Sequence, residues 1–187
     1  ANILGKLWSA REKAKRDKNK VFSNAIKIIM NSFYGVLGSS GCRFYDTKLA
    51  SSITMRGHWI MNQSKDWFEQ QGLNVIYGDT DSIFVSLDGT DLTADSAHEL
   101  ETQLNTWWQE KLAKEFKLEC KLEVEFETHF SPFFMPTIRG SESGSKKRYA
   151  GMKVNGKDKI LIFKGLESVR SDWTELAKEF QTELYML

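Results

Sequence analysis

LNVIYGDTDSIFVSL, residues 73–87, reads as two short β-type runs around a polar turn, the spacing of a hairpin. Asn74 to Ile76 and Ile83 to Val85 are apolar enough to be half-buried strands, so Asp79 and Asp81 fall at the exposed tip. Two like charges at one point are costly without a cation. Hard oxygen ligands so arranged suit Mg²⁺, which binds through one or two carboxylates and substrate phosphates. Asp and Gly are also good turn formers, and a bare Asp-x-Asp pair serves that purpose as well.

Working outward from the hairpin, the apolar period changes to that of a helix on both sides. Helices are expected over residues 3–16, 22–37 and 49–71, the second ended by the Gly/Ser segment Gly35 to Gly41 and the third closed by Gly72. Downstream, 95–116 is helical in period. Leu122, Val124 and Phe126 alternate with Glu123, Glu125 and Glu127, as on a strand with one wet face. Further β-type runs occupy 132–138, 148–154 and 159–164, and Ser171 or Asp172 is positioned to cap a last helix. The economical architecture is α+β, an antiparallel sheet covered by helices on one face. Trp59, Trp67, Trp107 and Trp108 sit in helical periods as core or helix-packing residues. The first and last helical patterns begin and stop without clear caps, as in a piece of a longer chain.

The net charge of +1 averages strong bands. Residues 1–48 carry ten Lys and Arg against three Asp and Glu, residues 66–130 four against fifteen, and residues 139–170 nine against three. Two basic bands around an acidic one suit a surface that grips a polyanion and holds a cation between. With 41% hydrophobic residues the chain can build a core. It offers neither a run of eighteen uncharged apolar residues nor a signal peptide, so it is read as soluble and unexported, with no membrane partner. Two cysteines make no disulfide framework, and His58, His98 and His129 lack partners at metal-ligand spacing.

A helical wheel gathers Phe22, Ile26, Ile29 and Phe33 of the second helix into one apolar stripe and puts Lys27, Asn31 and Tyr34 opposite, away from the core. A lysine, an amide and a phenol so aligned can meet a phosphate, a base edge and a planar ring, and they also fit a solvated face. Arg11 and Lys15, one helical turn apart, point the same way. In SKKRYAG, residues 145–151, strand alternation puts Lys147 and Tyr149 on one face, a phosphate contact beside an aromatic plate. Lys164 is a further candidate phosphate contact. Asp172 fits both an N-cap and, with Arg170, a binding element. Arg43 and Arg139 suit phosphate or mere solubility.

YGDTDS, residues 77–82, resembles motif C of the family B DNA polymerases, and KIIMNSFYG, residues 27–35, resembles their motif B with Lys27, Asn31, Tyr34 and Gly35 in register. SKKRYAG is similar to the family's Lys-x-Tyr element, and KGLESVRSDW, residues 164–173, to its passage from palm to thumb. Within the family the chain is most similar to the bacterial polymerase II subgroup, on NSFYGVLGSSGCRF and HFSPFFMPTIRG. The resemblance implies a helical fingers pair at 1–40, a palm at 41–170 and the start of a thumb at 171–187. It further implies template-directed nucleotidyl transfer from dNTP to a primer 3′ end with two Mg²⁺ ions, Asp81 bridging them and Asp79 auxiliary. Arg11, Lys15 and Lys27 then bind the triphosphate, and Asn31 and Tyr34 shape the nascent base-pair pocket. Lys147, Tyr149, Lys164, Arg170 and Asp172 meet primer-template DNA. A bacterial cytoplasmic setting, work in repair or replication restart, and a sliding clamp reached through other regions complete the expectation. Motif A, which supplies another metal-binding Asp before the first fingers helix, has no counterpart in this sequence, so the chain alone is expected to be inactive. The alternative is a noncatalytic nucleic-acid-binding module on the same fold. Thr80 between the aspartates speaks against a reverse transcriptase.

Overall fold

Where the apolar period is 3.6 the chain is helical, and where it is two the chain is extended. A computed structural model describes residues 3–90, 93–137, 140, 144–155 and 158–187, and among them the fold is α+β. The chain divides into two compact units, one ending at Gln63 and one covering Ser64–Leu187. Residues 138 and 139, and with them Arg139 and the end of the expected strand 132–138, lie outside the described residues.

In the first unit α1 (Ile3–Arg16) turns tightly into α2 (Lys20–Gly38). Lys18 takes a left-handed φ of 54° at this turn, and Asn19 caps α2 by accepting the Phe22 N–H on its side-chain oxygen at 3.1 Å. Ala14 and Ile26 are the buried residues of the two helices. The expected core stripe is corrected here. Phe22 and Ile29 are 52% and 49% exposed, and Phe33 is exposed too. A wheel identifies an apolar face, but within this unit little beyond Ile26 is covered. The third helix, α3 (Thr47–Gln70), starts where the Asp46 carboxylate accepts the Lys48 and Leu49 N–H groups at 2.9 and 3.3 Å. It is closed just past Gln70 by Gly72, whose φ of 79° suits glycine.

The second unit is built on the end of α3 and on α4 (Ala94–Phe116), where Leu104 and Trp108 are fully buried and Trp67 and Leu73 are buried as well. The Trp108 indole N–H donates to the buried Ser64 hydroxyl at 3.0 Å, which satisfies both polar groups. Trp59 and Trp107 are only half-buried, with the Arg56 guanidinium and the Lys111 amine each 5.0 Å from the respective ring centre.

Residues 122–127 alternate in exposure as expected, but they form no strand. Their partner is a helix. The Asn105 carboxamide donates to the Val124 carbonyl at 2.8 Å and accepts the Val124 N–H at 2.9 Å, and the Glu101 carboxylate accepts the Phe126 N–H at 3.1 Å. Side chains of α4 thus supply what a neighbouring strand normally supplies. Asn105→Leu is expected to cost about 1–3 kcal/mol, because it strands both backbone groups of Val124 in a half-buried setting. Urea denaturation, with amide exchange at Val124, checks this; an unchanged midpoint means that water serves those groups equally well.

The expected single sheet is two. In the first, β1 (Asn74–Asp79) pairs antiparallel with β2 (Ser82–Ser86). In the second, β4 (Tyr149–Asn155) lies between β3 (Phe130–Phe134) and β5 (Asp158–Lys164), with a continuous β4–β5 register from Tyr149↔Lys164 to Asn155↔Asp158. Gly151 lets the Phe130 ring cross β4, since a Cβ there would lie 2.5 Å from that ring. A 3₁₀ turn, Glu167–Val169, leads to α5 (Glu175–Met186), which rests Tyr185 on Phe134 and Phe163 at ring separations of 5.5 and 5.3 Å. Thr174, not Ser171 or Asp172, caps α5, its hydroxyl accepting the Ala177 N–H at 3.3 Å. Asp172 is instead engaged by Arg170. Among the described residues no helix is long and apolar enough to cross a membrane.

Candidate active site

The hairpin closes through only Thr80 and Asp81, because Asp79 and Ser82 are the last paired residues of β1 and β2. Thr80 has a φ of 48°, an uncommon conformation for a β-branched residue, so the tip holds local strain. The Asp81 N–H donates to the Asp79 carbonyl. Hydroxyls bracket both carboxylates: Thr80 donates to Asp79 at 3.1 Å and Ser82 to Asp81 at 3.4 Å.

The hairpin stands on an aromatic base. Tyr77 lies across from Phe84, and Phe84 meets Phe133 and Tyr149 of the three-stranded sheet at 5.4 and 5.2 Å. Tyr149 also contacts Phe130 and Phe133, so its ring is part of this base. Its phenol is pushed above its ordinary value, first by burial and then by the charge of Glu127, with Tyr77 and Asp79 adding. Lys147 is not on the strand face with Tyr149. It occupies the turn before β4 with a φ of 62°, which breaks the alternation. The turn brings it somewhere more useful: its N–H donates to the Tyr77 hydroxyl at 2.7 Å, and its Nζ lies 3.6 Å from an Asp79 oxygen. With the lysine side chain 69% exposed, this pair adds little stability but puts a cation beside the tip.

In the first unit, Arg11, Lys15 and Lys27 come together on an open groove of about 460 Å³ between α1 and α2. Lys18 and Lys20 line it as well, which spacing did not reveal because Lys18 falls in the turn and Lys20 is the first residue of α2. The Arg11 Nε is buried without a hydrogen-bond partner, and Lys15 lies 3.8 Å from Glu12. Asn31 and Tyr34 are exposed as expected, but the Tyr34 hydroxyl is tied to Thr54 of α3 at 2.8 Å.

Three further candidates lie near the entry to α5. Lys164 is exposed at the end of β5, paired through its backbone with Tyr149. Arg170 donates to both oxygens of Asp172, at 2.9 and 2.6 Å. Each stabilises the other's charge, raising the guanidinium pKa and lowering that of the carboxyl. Arg148 and Glu167, paired behind the Lys147 turn, were not evident from the sequence, since no local pattern joins residues nineteen apart.

Among the described residues no group of three or more His, Cys, Asp and Glu is arranged to hold a metal. The tip does offer two carboxylates and two hydroxyls, a hard oxygen donor set of the kind Mg²⁺ accepts when substrate supplies the rest.

The family profile described as DNA polymerase family B matches residues 3–186. The chain is similar to DNA polymerase II of Escherichia coli (strain K12), 55% identical over 187 residues that cover 98% of this chain and 24% of that protein. It is 34% identical to a DNA polymerase of Archaeoglobus fulgidus over 85% of this chain and 17% of the relative. With the DNA polymerase alpha catalytic subunit of Mus musculus the identity is 35%, over 83% of this chain and 10% of the relative. The chain thus spans about a quarter or less of the length of these relatives.

Proposed function

The chain belongs to DNA polymerase family B, and from that premise we propose that it is part of the catalytic centre of a DNA-directed DNA polymerase. The observation that carries this reading is the hairpin tip, where Asp79 and Asp81 project from a strained turn fixed on an aromatic base with a lysine amine at hand. Residues 1–40 serve as fingers, 41–170 as palm and 171–187 as the start of a thumb, in a cytoplasmic enzyme of DNA repair or replication restart.

Asp81, with Asp79 as auxiliary, would hold Mg²⁺. Two such ions, when bound, lower the charge on the primer 3′ oxygen and on the departing pyrophosphate. The chain's own residues position the reactants. Arg11, Lys15 and Lys27 bind the triphosphate, and in a groove rich in cations their attraction needs no rearrangement as charge develops on the leaving group. Asn31 and Tyr34 border the nascent base pair, the phenol being oriented by Thr54. Lys147 and Lys164 meet duplex phosphates, Tyr149 stiffens the strand beneath them, and Arg170 with Asp172 shapes the approach to the thumb. A sliding clamp would be engaged through other regions of the polymerase.

Primer extension by a chimera, in which this chain replaces the matching quarter of E. coli DNA polymerase II, tests the proposal; an inactive but folded chimera that still binds duplex favours a noncatalytic module. The groove is testable on the chain itself. Lys27→Ala is expected to weaken dNTP binding by about tenfold or more, as for a lost charge-assisted hydrogen bond. Calorimetric titration at fixed salt measures this. Equal affinity in Lys27→Ala, with Arg11→Ala also silent, means that the groove is not the triphosphate site.

A further inference from the structure

Behind the Lys147 turn lies a clasp that the proposed chemistry does not use. The Glu167 carboxylate accepts a hydrogen bond from Arg148 on one oxygen and from the Gln181 amide of α5 on the other, the latter at 2.8 Å. The Gln181 side-chain oxygen in turn accepts the Ser168 N–H at 2.6 Å, so both ends of its carboxamide are committed to the 3₁₀ turn. Glu167 is held ionised below the usual carboxylate range, first by the Gln181 amide, with Arg148 adding. Arg148 is the immediate neighbour of Lys147, whose N–H is anchored on Tyr77 and whose amine is beside Asp79. Gly165, just before the clasp, packs so closely on the Lys147 carbonyl that a side chain has no room.

We propose that Glu167 and Gln181 are positioning residues: Gln181 of α5 holds Glu167, Glu167 holds Arg148, and together they fix the turn that presents Lys147 beside Asp79, and so link the seat of α5 to the grip on the duplex. The last step rests on the reading of Lys147 as a duplex contact; the mechanical link does not. The reason for a clasp is the backbone it restrains. A lysine at a φ of 62° is not held there by its own preference. The neighbours of the turn must hold it, and Glu167 joins the turn to α5 through one carboxylate. Tyr185, one helical turn beyond Gln181, anchors the same face of α5 on the sheet. A shift of α5 therefore pulls on Glu167 and, through Arg148, on the turn beside Asp79.

The test uses the 187-residue chain with Lys147→Ala, Glu167→Ala, Gln181→Leu and the double variant Lys147→Ala/Glu167→Ala. Amide exchange at Lys147 is followed by NMR, with Met152 and Ile162 in the β4–β5 ladder as internal controls, and primer-template duplex affinity is measured over a salt series. Lys147→Ala is expected to weaken binding and make the salt slope shallower by about one, as for one phosphate contact. Glu167→Ala and Gln181→Leu should weaken binding similarly and speed Lys147 exchange about tenfold while Met152 and Ile162 stay protected. The double variant should bind no worse than Lys147→Ala, because both changes act through one side chain. Additive losses, or unchanged Lys147 exchange in both clasp variants, overturn the proposal. If Glu167→Ala unfolds the chain, Gln181→Leu, which leaves the Arg148–Glu167 pair in place, decides alone. Faster exchange with duplex binding indifferent to Lys147→Ala supports the clasp and overturns Lys147 as a duplex contact.

Discussion

Alanine at Gly165 is expected to destabilise the chain by about 3 kcal/mol, the scale of a backbone forced into an unsuitable conformation with a steric clash added. Gly165 has a φ of 62°, where a Cβ is already unfavourable. The Cβ would also be driven into the Lys147 carbonyl oxygen and would lie 3.2 Å from the carbonyl carbon. A side chain could swing aside, but a backbone carbonyl between a paired strand and an anchored N–H cannot. Relief requires moving either the start of β4 or the end of β5, which are paired at Tyr149↔Lys164. Gly57 is the control. It lies within α3 with nothing within 4 Å of a built Cβ, so Gly57→Ala should instead stabilise by about 0.5–1 kcal/mol. Urea denaturation followed by tryptophan fluorescence measures both. A Gly165→Ala protein with a wild-type midpoint shows that this junction can relax, and the rigidity assigned to the Lys147 turn is then lost as well.

Local pattern carried the helices because periodicity and punctuation act within a few residues. The period around Trp67 and the glycine at position 72 suffice for α3, and the apolar runs flanking Asp79 and Asp81 suffice for the hairpin. What failed depended on partners far along the chain. Alternation at Leu122, Val124 and Phe126 correctly gives one wet face, yet it cannot tell a neighbouring strand from the Asn105 carboxamide nineteen residues away. The apolar stripe of α2 is a property of one helix, whereas its burial depends on another element covering it. Arg11 and Lys15 on α1 and Lys27 on α2 were legible because helical spacing gives each a face, while Lys18 sits in the turn and Lys20 at the very start of α2, where no face is yet defined. Lys147 was misplaced for a similar reason: nothing in a lysine announces a positive φ. Its real neighbour, Asp79, is a contact between hairpin and turn that alternation along one strand cannot contain.

The same contact supports the proposed ranking of the two aspartates. Asp79 is half-buried and has the Lys147 amine at 3.6 Å, so part of its charge is already compensated, whereas Asp81 is exposed at the tip, open to an incoming cation. In the chimera with E. coli DNA polymerase II, Asp81→Ala is therefore expected to cut primer extension on the order of a thousandfold or more, beyond the hundredfold that misplacement alone costs. Asp79→Ala should cost less, about ten- to a hundredfold, with a higher Mg²⁺ requirement as the auxiliary ligand is lost. The 187-residue chain by itself is expected to extend no primer, because the resemblance calls for a further metal-binding Asp that this sequence does not contain. With two carboxylates its Mg²⁺ affinity should be weak, on the order of millimolar, as for sites of low ligand charge. Single-turnover extension across a Mg²⁺ series measures all of this, with the Asp81→Ala chain as the control for contaminating polymerase. An Asp79→Ala chimera that loses as much as Asp81→Ala would overturn the ranking and make the Lys147 contact incidental. Extension by the chain alone that disappears in Asp81→Ala would mean that these two aspartates need no third, and that the hairpin tip is the whole of the metal site.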